Sequence, residues 1–129
     1  MTRIELPPGF LFGAATSAYQ IEGGWDADGK GLSIWDRYTH QKGHIQKGHN
    51  GDTATDTYRN FQTDIDIMRE MGLDVYRFSI SWPRVMPEGR GRINEKGLDY
   101  YERLVDALLA AGITPFPTLF HWDLPLALE

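Results

Sequence analysis

The sequence predicts an α/β fold in which helices pack outside a parallel sheet, because its hydrophobic periodicity changes in a regular order. Three short apolar runs of the kind found in strands begin at Phe10, Val75 and Ile113. Two amphipathic segments, each ending at a glycine, lie between successive runs. The order strand, loop, helix, strand, helix, strand implies parallel strands. Such strands need cover on both faces, and two helices cover only one.

The first run, from Phe10 to Ala15, contains several small residues and predicts a short buried strand. Residues 25–51 follow with many glycines and three of the four histidines, and they predict a long loop around a site. His40, His44 and His49 invite a metal hypothesis, but they lie in a glycine-rich loop with no fixed carboxylate nearby. We therefore expect no metal site and no cofactor.

A first helix is predicted after this loop. Asp52 or Thr53 can cap it, with Asp56 in a capping-box-like position, and Gly72 is a natural end. Its apolar residues recur in steps of four and three, which places them on one face: Ala54, Tyr58, Phe61, Ile65 and Met68. A helix needs such a face in order to pack against a sheet.

The second strand is predicted from Val75 to Trp82, where the residues alternate with period two and are rich in aromatic and β-branched types, until Pro83. The second helix begins at the Asn94 cap and ends at Gly112. Three apolar residues are candidates for the uncovered inner face of the sheet: Phe78, Ile80 and Phe120.

The third strand is predicted to begin at Ile113. Pro115 is tolerable near a strand start, but Pro117 counts against a central strand because proline cannot donate a ladder hydrogen bond. We retain the strand because the apolar run and its place in the alternation agree.

The composition is that of a soluble globular protein, with 41% hydrophobic and 24% charged residues over 129 residues. The net charge of −5 argues against a nucleic-acid partner, which would need a basic face. The sequence has no cysteine, which excludes disulfides and thiolate chemistry and favours a cytoplasmic location. No apolar run reaches the roughly 20 residues of a membrane helix, so no membrane partner is expected.

Polar residues follow each predicted strand at its C-terminal end, in Tyr19–Glu22, Ser81–Arg84 and His121–Asp123. In a parallel β/α sheet these ends share one side, where ligands bind. The side chains of Gln20, His121 and Trp122 offer donors, acceptors and a flat apolar face, which suits a neutral polyhydroxyl ligand such as a sugar. The alternatives are a turn amide at Gln20 and a core aromatic pair at His121 and Trp122.

Arg77 lies in the middle of the second strand between two aromatic residues. An unpaired guanidinium would be costly there, so a buried anionic partner is expected. That partner is either a catalytic carboxylate or an Asp or Glu of the scaffold, and the sequence favours neither.

Four blocks of the sequence, in order, resemble glycoside hydrolase family 1, the β-glucosidase family: Phe10–Gly24, Ser33–Asp36, Arg77–Arg84 and His121–Pro125. The family consists of retaining β-glycosidases with a (β/α)8 (TIM) barrel. The resemblance implies that residues 1–129 are the N-terminal segment of a single TIM-barrel catalytic domain, with about strands 1–3 and helices 1–2. This chain alone does not close such a barrel, and a complementary C-terminal barrel portion is the expected partner.

The resemblance implies that Gln20, His121 and Trp122 bind the hydroxyls of a β-glycoside substrate, and that Arg77 orients the catalytic nucleophile. The Asn-Glu-Pro and Glu-Asn-Gly blocks that carry the family's two catalytic carboxylates are absent. We therefore expect no catalytic residue in this chain and no activity from the chain alone. The alternatives are a non-catalytic carbohydrate-binding module and a structural barrel fragment.

Overall fold

The computed structural model describes residues 4–129 and confirms the predicted α/β class. The elements in chain order are β1 (Gly13–Ala15), α1 (Ala18–Ile21), α2 (Ile34–His40), α3 (Thr57–Glu70), β2 (Val75–Ser79), α4 (Trp82–Val85), α5 (Glu95–Ala110) and β3 (Thr114–Thr118). Single 3-10 turns lie at Ala27–Gly29, Gln46–Gly48 and Leu126–Leu128. None of the helices in residues 4–129 is long and apolar enough to cross a membrane.

The three strands form one parallel sheet in the order β1–β2–β3. Thr114 N–H donates to Asp74 C=O at 2.8 Å, and Ile80 N–H donates to Thr118 C=O at 2.9 Å. Because backbone groups alternate in direction along a strand, the nitrogens of Pro115 and Pro117 point away from β2. Neither proline removes a ladder bond to β2, which explains how β3 forms despite both.

The core lies between the sheet and the two long helices, α3 and α5. Tyr76 and Phe78 point from β2 into it and are buried against apolar residues of the helices and of the turn before β3. Those residues are Ile65, Tyr100, Tyr101, Leu104, Leu108 and Ile113. Burying each large apolar side chain contributes about 1.5–3 kcal/mol. Ile80 also packs against this core, so the expectation that Phe78 and Ile80 lie on the inner face is wrong, whereas Phe120 is exposed.

The helix boundaries follow from backbone conformation more than from side-chain caps. Asp56 is left-handed at φ 56° and precedes the first residue of α3, so the predicted start at Asp52 or Thr53 is wrong. α5 begins after Asn94 as predicted, although the Asn94 amide donates to the carbonyls of Asp28 and Arg84 instead of capping. Gly72 lies just past the end of α3, with the positive φ that commonly ends a helix.

The structure departs from the predicted strands and loop in three places. β1 is shorter than predicted, and all three of its residues are exposed. β2 ends at Ser79, and Trp82 begins the short helix α4 with Pro83 in its first turn. α2 lies inside the segment predicted as loop, and a reciprocal capping box between Ser33 and Asp36 starts it.

Candidate functional site

A cleft of about 500 Å³ lies where β1 and β3 end. This volume is within the range of small-molecule sites. It brings together the three residues for which the sequence predicts ligand contact, Gln20, His121 and Trp122. The other lining residues are Ser17, Tyr19, Trp35, Thr39 and Ile45. No carboxylate lines the cleft within residues 4–129.

Hydrogen bonds to β2 fix the segment that carries Gln20. Thr16 N–H donates to Arg77 C=O at 2.9 Å, and Ala18 N–H donates to the buried Ser79 hydroxyl at 2.7 Å. These bonds turn the chain out of β1 into α1, which presents Tyr19 and Gln20 at the cleft. The C-terminal end of the central strand therefore sets the position of this wall.

Backbone pairing joins the opposite wall to the segment after β3. Ile34 N–H donates to Leu124 C=O at 2.9 Å, and Leu126 N–H donates to Leu32 C=O at 2.7 Å. The pairing places Trp35 of α2 beside Tyr19, with their ring centroids 6.2 Å apart. Two sequence blocks about 90 residues apart thus form one rim of the cleft.

Trp122 has an unusual backbone for a bulky residue, with φ +77° in the left-handed region. Its side chain is 70% exposed, whereas the neighbouring Asp123 is 2% exposed. Strained backbone of this kind clusters at functional sites, where the surrounding structure holds it. The turn from His121 to Asp123 therefore presents an indole to the cleft and anchors itself with a buried carboxylate.

Arg77 lies on the central strand between Tyr76 and Phe78, and alternation directs its side chain to the face that no helix covers. Among residues 4–129 it forms no ion pair. One of the two predicted alternatives, a salt bridge from Arg77 to an Asp or Glu of the scaffold, is therefore not formed within the described part of the chain.

A buried ion pair that the sequence did not predict joins Arg84 and Glu22. Arg84 Nε donates to Glu22 Oε2 at 2.9 Å, and Arg84 Nη2 donates to the Gly23 carbonyl at 2.9 Å. The Tyr101 hydroxyl donates to the other Glu22 oxygen, and the Arg84 guanidinium lies 4.0 Å from the ring centroid of Tyr58. Burial raises the pKa of the Glu22 carboxyl, and Arg84 and Tyr101 oppose that rise.

This pair gives Glu22 a structural position, away from the lining of the cleft. The sequence signal that could have revealed it is Gly23–Gly24, since both glycines have positive φ and their carbonyls receive the guanidinium. Gly97 allows α5 to pack closely against the backbone of Arg84, because a Cβ at this position would lie 2.1 Å from the Arg84 carbonyl oxygen.

Two of the three loop histidines, His40 and His44, have local partners, and the expectation of no carboxylate nearby is wrong for His40. His40 Nε2 lies 2.6 Å from Asp52 Oδ1, and its ring packs edge-on against Trp25. The ring of His44 lies 4.7 Å from that of Tyr38. Residues 4–129 contain no group of three or more His, Cys, Asp or Glu placed to hold a metal ion.

Comparison with known proteins gives a consistent match. The profile of glycosyl hydrolase family 1 matches residues 2–129. β-Glucosidase A of Acetivibrio thermocellus is 56% identical over 129 residues, which is 100% of this chain and 29% of that protein. Coniferin β-glucosidase of Pinus contorta is also 56% identical over 129 residues, 25% of its length. The chain therefore spans between a quarter and a third of the length of these relatives.

Among solved structures, the family 1 β-glucosidase from Thermotoga maritima superposes with a TM-score of 0.94 at 55% identity. The match covers 95% of this chain and 28% of that one. A further structure of that enzyme is a complex with castanospermine. With the open parallel sheet, this match confirms the expected fold, the N-terminal part of a (β/α)8 barrel that the described strands do not close.

Proposed function

This chain belongs to glycosyl hydrolase family 1, and on that premise we propose that it supplies part of the sugar-binding subsite of a retaining β-glycosidase. The substrate class is terminal β-linked sugars of glycosides, as in a β-glucosidase. The observation that carries the proposal is the cleft that unites Gln20, His121 and Trp122. An amide, an imidazole and an indole provide paired donors and acceptors for hydroxyls and a face for sugar C–H groups.

The chemistry itself needs groups that this sequence does not contain. Retaining hydrolysis uses two carboxyl groups about 5–5.5 Å apart, one as acid/base and one as nucleophile. The described residues that line the cleft include no carboxylate, and both family blocks that carry the catalytic glutamates are absent from the sequence. We propose that a complementary C-terminal barrel portion supplies both, and that residues 1–129 form the N-terminal segment of that single domain.

Arg77 has a role in this proposal because its side chain lies on the inner face and forms no ion pair within residues 4–129. A guanidinium beside a carboxylate lowers the pKa of that carboxyl and fixes its orientation. Arg77 is thus suited to hold the nucleophile ionised and in place once the barrel is complete. A cytoplasmic location is part of the proposal, supported by the cysteine-free composition.

A second candidate is a carbohydrate-binding module without turnover. The observation in its favour is that these residues alone form a cleft of sugar-binding composition that lacks a carboxylate. The two candidates differ in one measurable respect, since a module should be monomeric, folded and sugar-binding by itself.

The site can be tested in a completed barrel, in which these 129 residues replace the matching segment of β-glucosidase A from A. thermocellus. Gln20→Ala and His121→Ala are each expected to lower kcat/KM for an aryl β-glucoside about 10²-fold, because hydrogen bonds to sugar hydroxyls strengthen in the transition state. Arg77→Met is expected to lower kcat more than it raises KM. Steady-state kinetics measure all three effects.

The matched controls are Gln41→Ala, His49→Ala and Arg90→Met, which change exposed residues that do not line the cleft. Each should stay within twofold of the parent, with circular dichroism confirming that all variants fold. Kinetics within twofold of the parent for Gln20→Ala, His121→Ala and Arg77→Met would place the site elsewhere.

A further inference from the structure

A second, much smaller cavity of about 10 Å³ lies next to the cleft, and Tyr19 lines both. This volume is about what a single water molecule needs. Eight of the residues that line it carry ionic or hydroxyl groups: Tyr19, Glu22, Lys30, Ser33, Asp36, Ser81, Arg84 and Asp123. A cavity with these walls differs from the dry apolar voids of protein cores, because it offers an occupant several hydrogen bonds.

Asp123 Oδ1 is the group in this cavity without a partner. It is buried, and no hydrogen-bond partner reaches it within residues 4–129. The other carboxylates have theirs, since Glu22 pairs with Arg84 and Asp36 pairs with Lys30. Burial raises the pKa of the Asp123 carboxyl, which agrees with an oxygen that lacks solvation. A buried acceptor without a hydrogen bond destabilises the fold, so a hydrogen-bond donor is expected at this oxygen.

Lys30 offers the matching donor. Its Nζ donates to the Gly31 carbonyl at 3.1 Å and to Asp36 Oδ2 at 2.9 Å. An ammonium group has three N–H donors, so one remains. We propose that this cavity holds one ordered water molecule that accepts from Lys30 Nζ and donates to Asp123 Oδ1. Residues 4–129 contain no group of three or more His, Cys, Asp or Glu placed to hold a metal ion, and the cationic side chains of Lys30 and Arg84 line the same space.

The water gives Asp123 a further role, which rests on the proposed function of the cleft. The Asp123 carboxylate is buried directly after Trp122, in a cavity that Ser81 also lines. The buried carboxylate thus anchors the C-terminal end of the turn that holds Trp122 at positive φ. Asp123 is therefore a positioning residue, which acts on the sugar through His121 and Trp122 and does not touch it.

A crystal structure of the completed barrel, at a resolution that shows waters, tests the first part. We expect one water within hydrogen-bond distance of both Asp123 Oδ1 and Lys30 Nζ. An empty cavity, a protein group bound to Oδ1, or an ion at metal coordination distances would overturn the water site.

The positioning role is tested with Asp123→Asn in the completed barrel, and castanospermine is the probe for the sugar site. The substitution preserves the volume of the side chain but removes the negative charge of the buried carboxylate. The dissociation constant for castanospermine and the KM for an aryl β-glucoside should each rise about tenfold. Asp99→Asn, which changes an exposed carboxylate on α5, is the control and should leave both within twofold. Values within twofold for Asp123→Asn would overturn the role.

Two other outcomes also decide the question. If Asp123→Asn does not fold, Ser81→Ala replaces it, because the Ser81 hydroxyl lines the same cavity as the Asp123 carboxylate. It should then weaken castanospermine binding about threefold, and unchanged binding overturns the positioning role. A parent that shows the water but binds no castanospermine overturns the proposed function and the positioning role together, and leaves the water site established by its density.

Discussion

The 129-residue chain by itself is expected to release no aglycone from an aryl β-glucoside above a buffer blank. The physical reason is that neither carboxylate of the retaining mechanism is available at the cleft, whose lining contains no Asp or Glu. The loss should be complete, since sugar binding without acid/base and nucleophile provides no route through the reaction. The measurement is chromogenic aglycone release by chain purified away from any intact β-glucosidase.

Glu22→Gln is the control for this result. Glu22 is the carboxylate nearest in sequence to Gln20, and the structure buries it against Arg84 and Tyr101. Turnover that copurifies with the chain and disappears in Glu22→Gln would show that a catalytic carboxylate had been overlooked. It would contradict the proposed need for a complementary barrel portion.

Breaking the buried ion pair should have the largest effect on stability. In the completed barrel, Arg84→Met is expected to lower the free energy of unfolding by about 3–5 kcal/mol, because it leaves the Glu22 charge buried without its partner. Arg84 is 1% exposed, so solvent screening does not reduce this loss. Urea unfolding measures the change, and Arg59→Met, at an exposed i,i+3 pair with Asp56, should stay within about 1 kcal/mol.

A double-mutant cycle separates the lost pair from lost packing. Glu22→Gln combined with Arg84→Met removes both charges, and it should be less destabilised than Arg84→Met alone. Equal or greater destabilisation in the double variant would show that the stem of Arg84, packed over Tyr58, matters more than its charge.

The sequence predicts the helices and strands well where periodicity and glycine stops coincide. α5 begins after Asn94 as expected, and Gly72 and Gly112 follow α3 and α5 with positive φ. The predicted start of α3 was wrong because the left-handed conformation of Asp56, which precedes the helix, leaves no trace in the hydrophobic periodicity of the sequence. The sequence analysis missed α2 because a helix of seven residues shows little hydrophobic periodicity. The Ser33–Asp36 capping box could have revealed its start.

The sequence predicted that Gln20, His121 and Trp122 lie close together, but not the contacts that hold them there. The rule that parallel strands end on one side brought Gln20 and His121 together, and the structure places both at one cleft. The sequence predicted a buried anionic partner for Arg77. Among residues 4–129, Arg84 has such a partner in Glu22, and Arg77 has none. Which arginine is buried depends on which strand face the helices cover. That is a tertiary property that the local pattern of Tyr76, Arg77 and Phe78 does not encode.

The most direct test mixes this chain with the remaining portion of β-glucosidase A from A. thermocellus as a separate polypeptide. Alone, the chain is expected to associate and to melt without a sharp transition, because Phe116, at 52% exposed, and Leu119, at 77%, lie beside an open strand edge. The mixture should melt in one transition and hydrolyse an aryl β-glucoside, and His121→Ala should assemble equally well but turn over far more slowly. A chain that is monomeric alone, melts sharply and gains no activity on mixing would contradict the incomplete barrel and favour the carbohydrate-binding module.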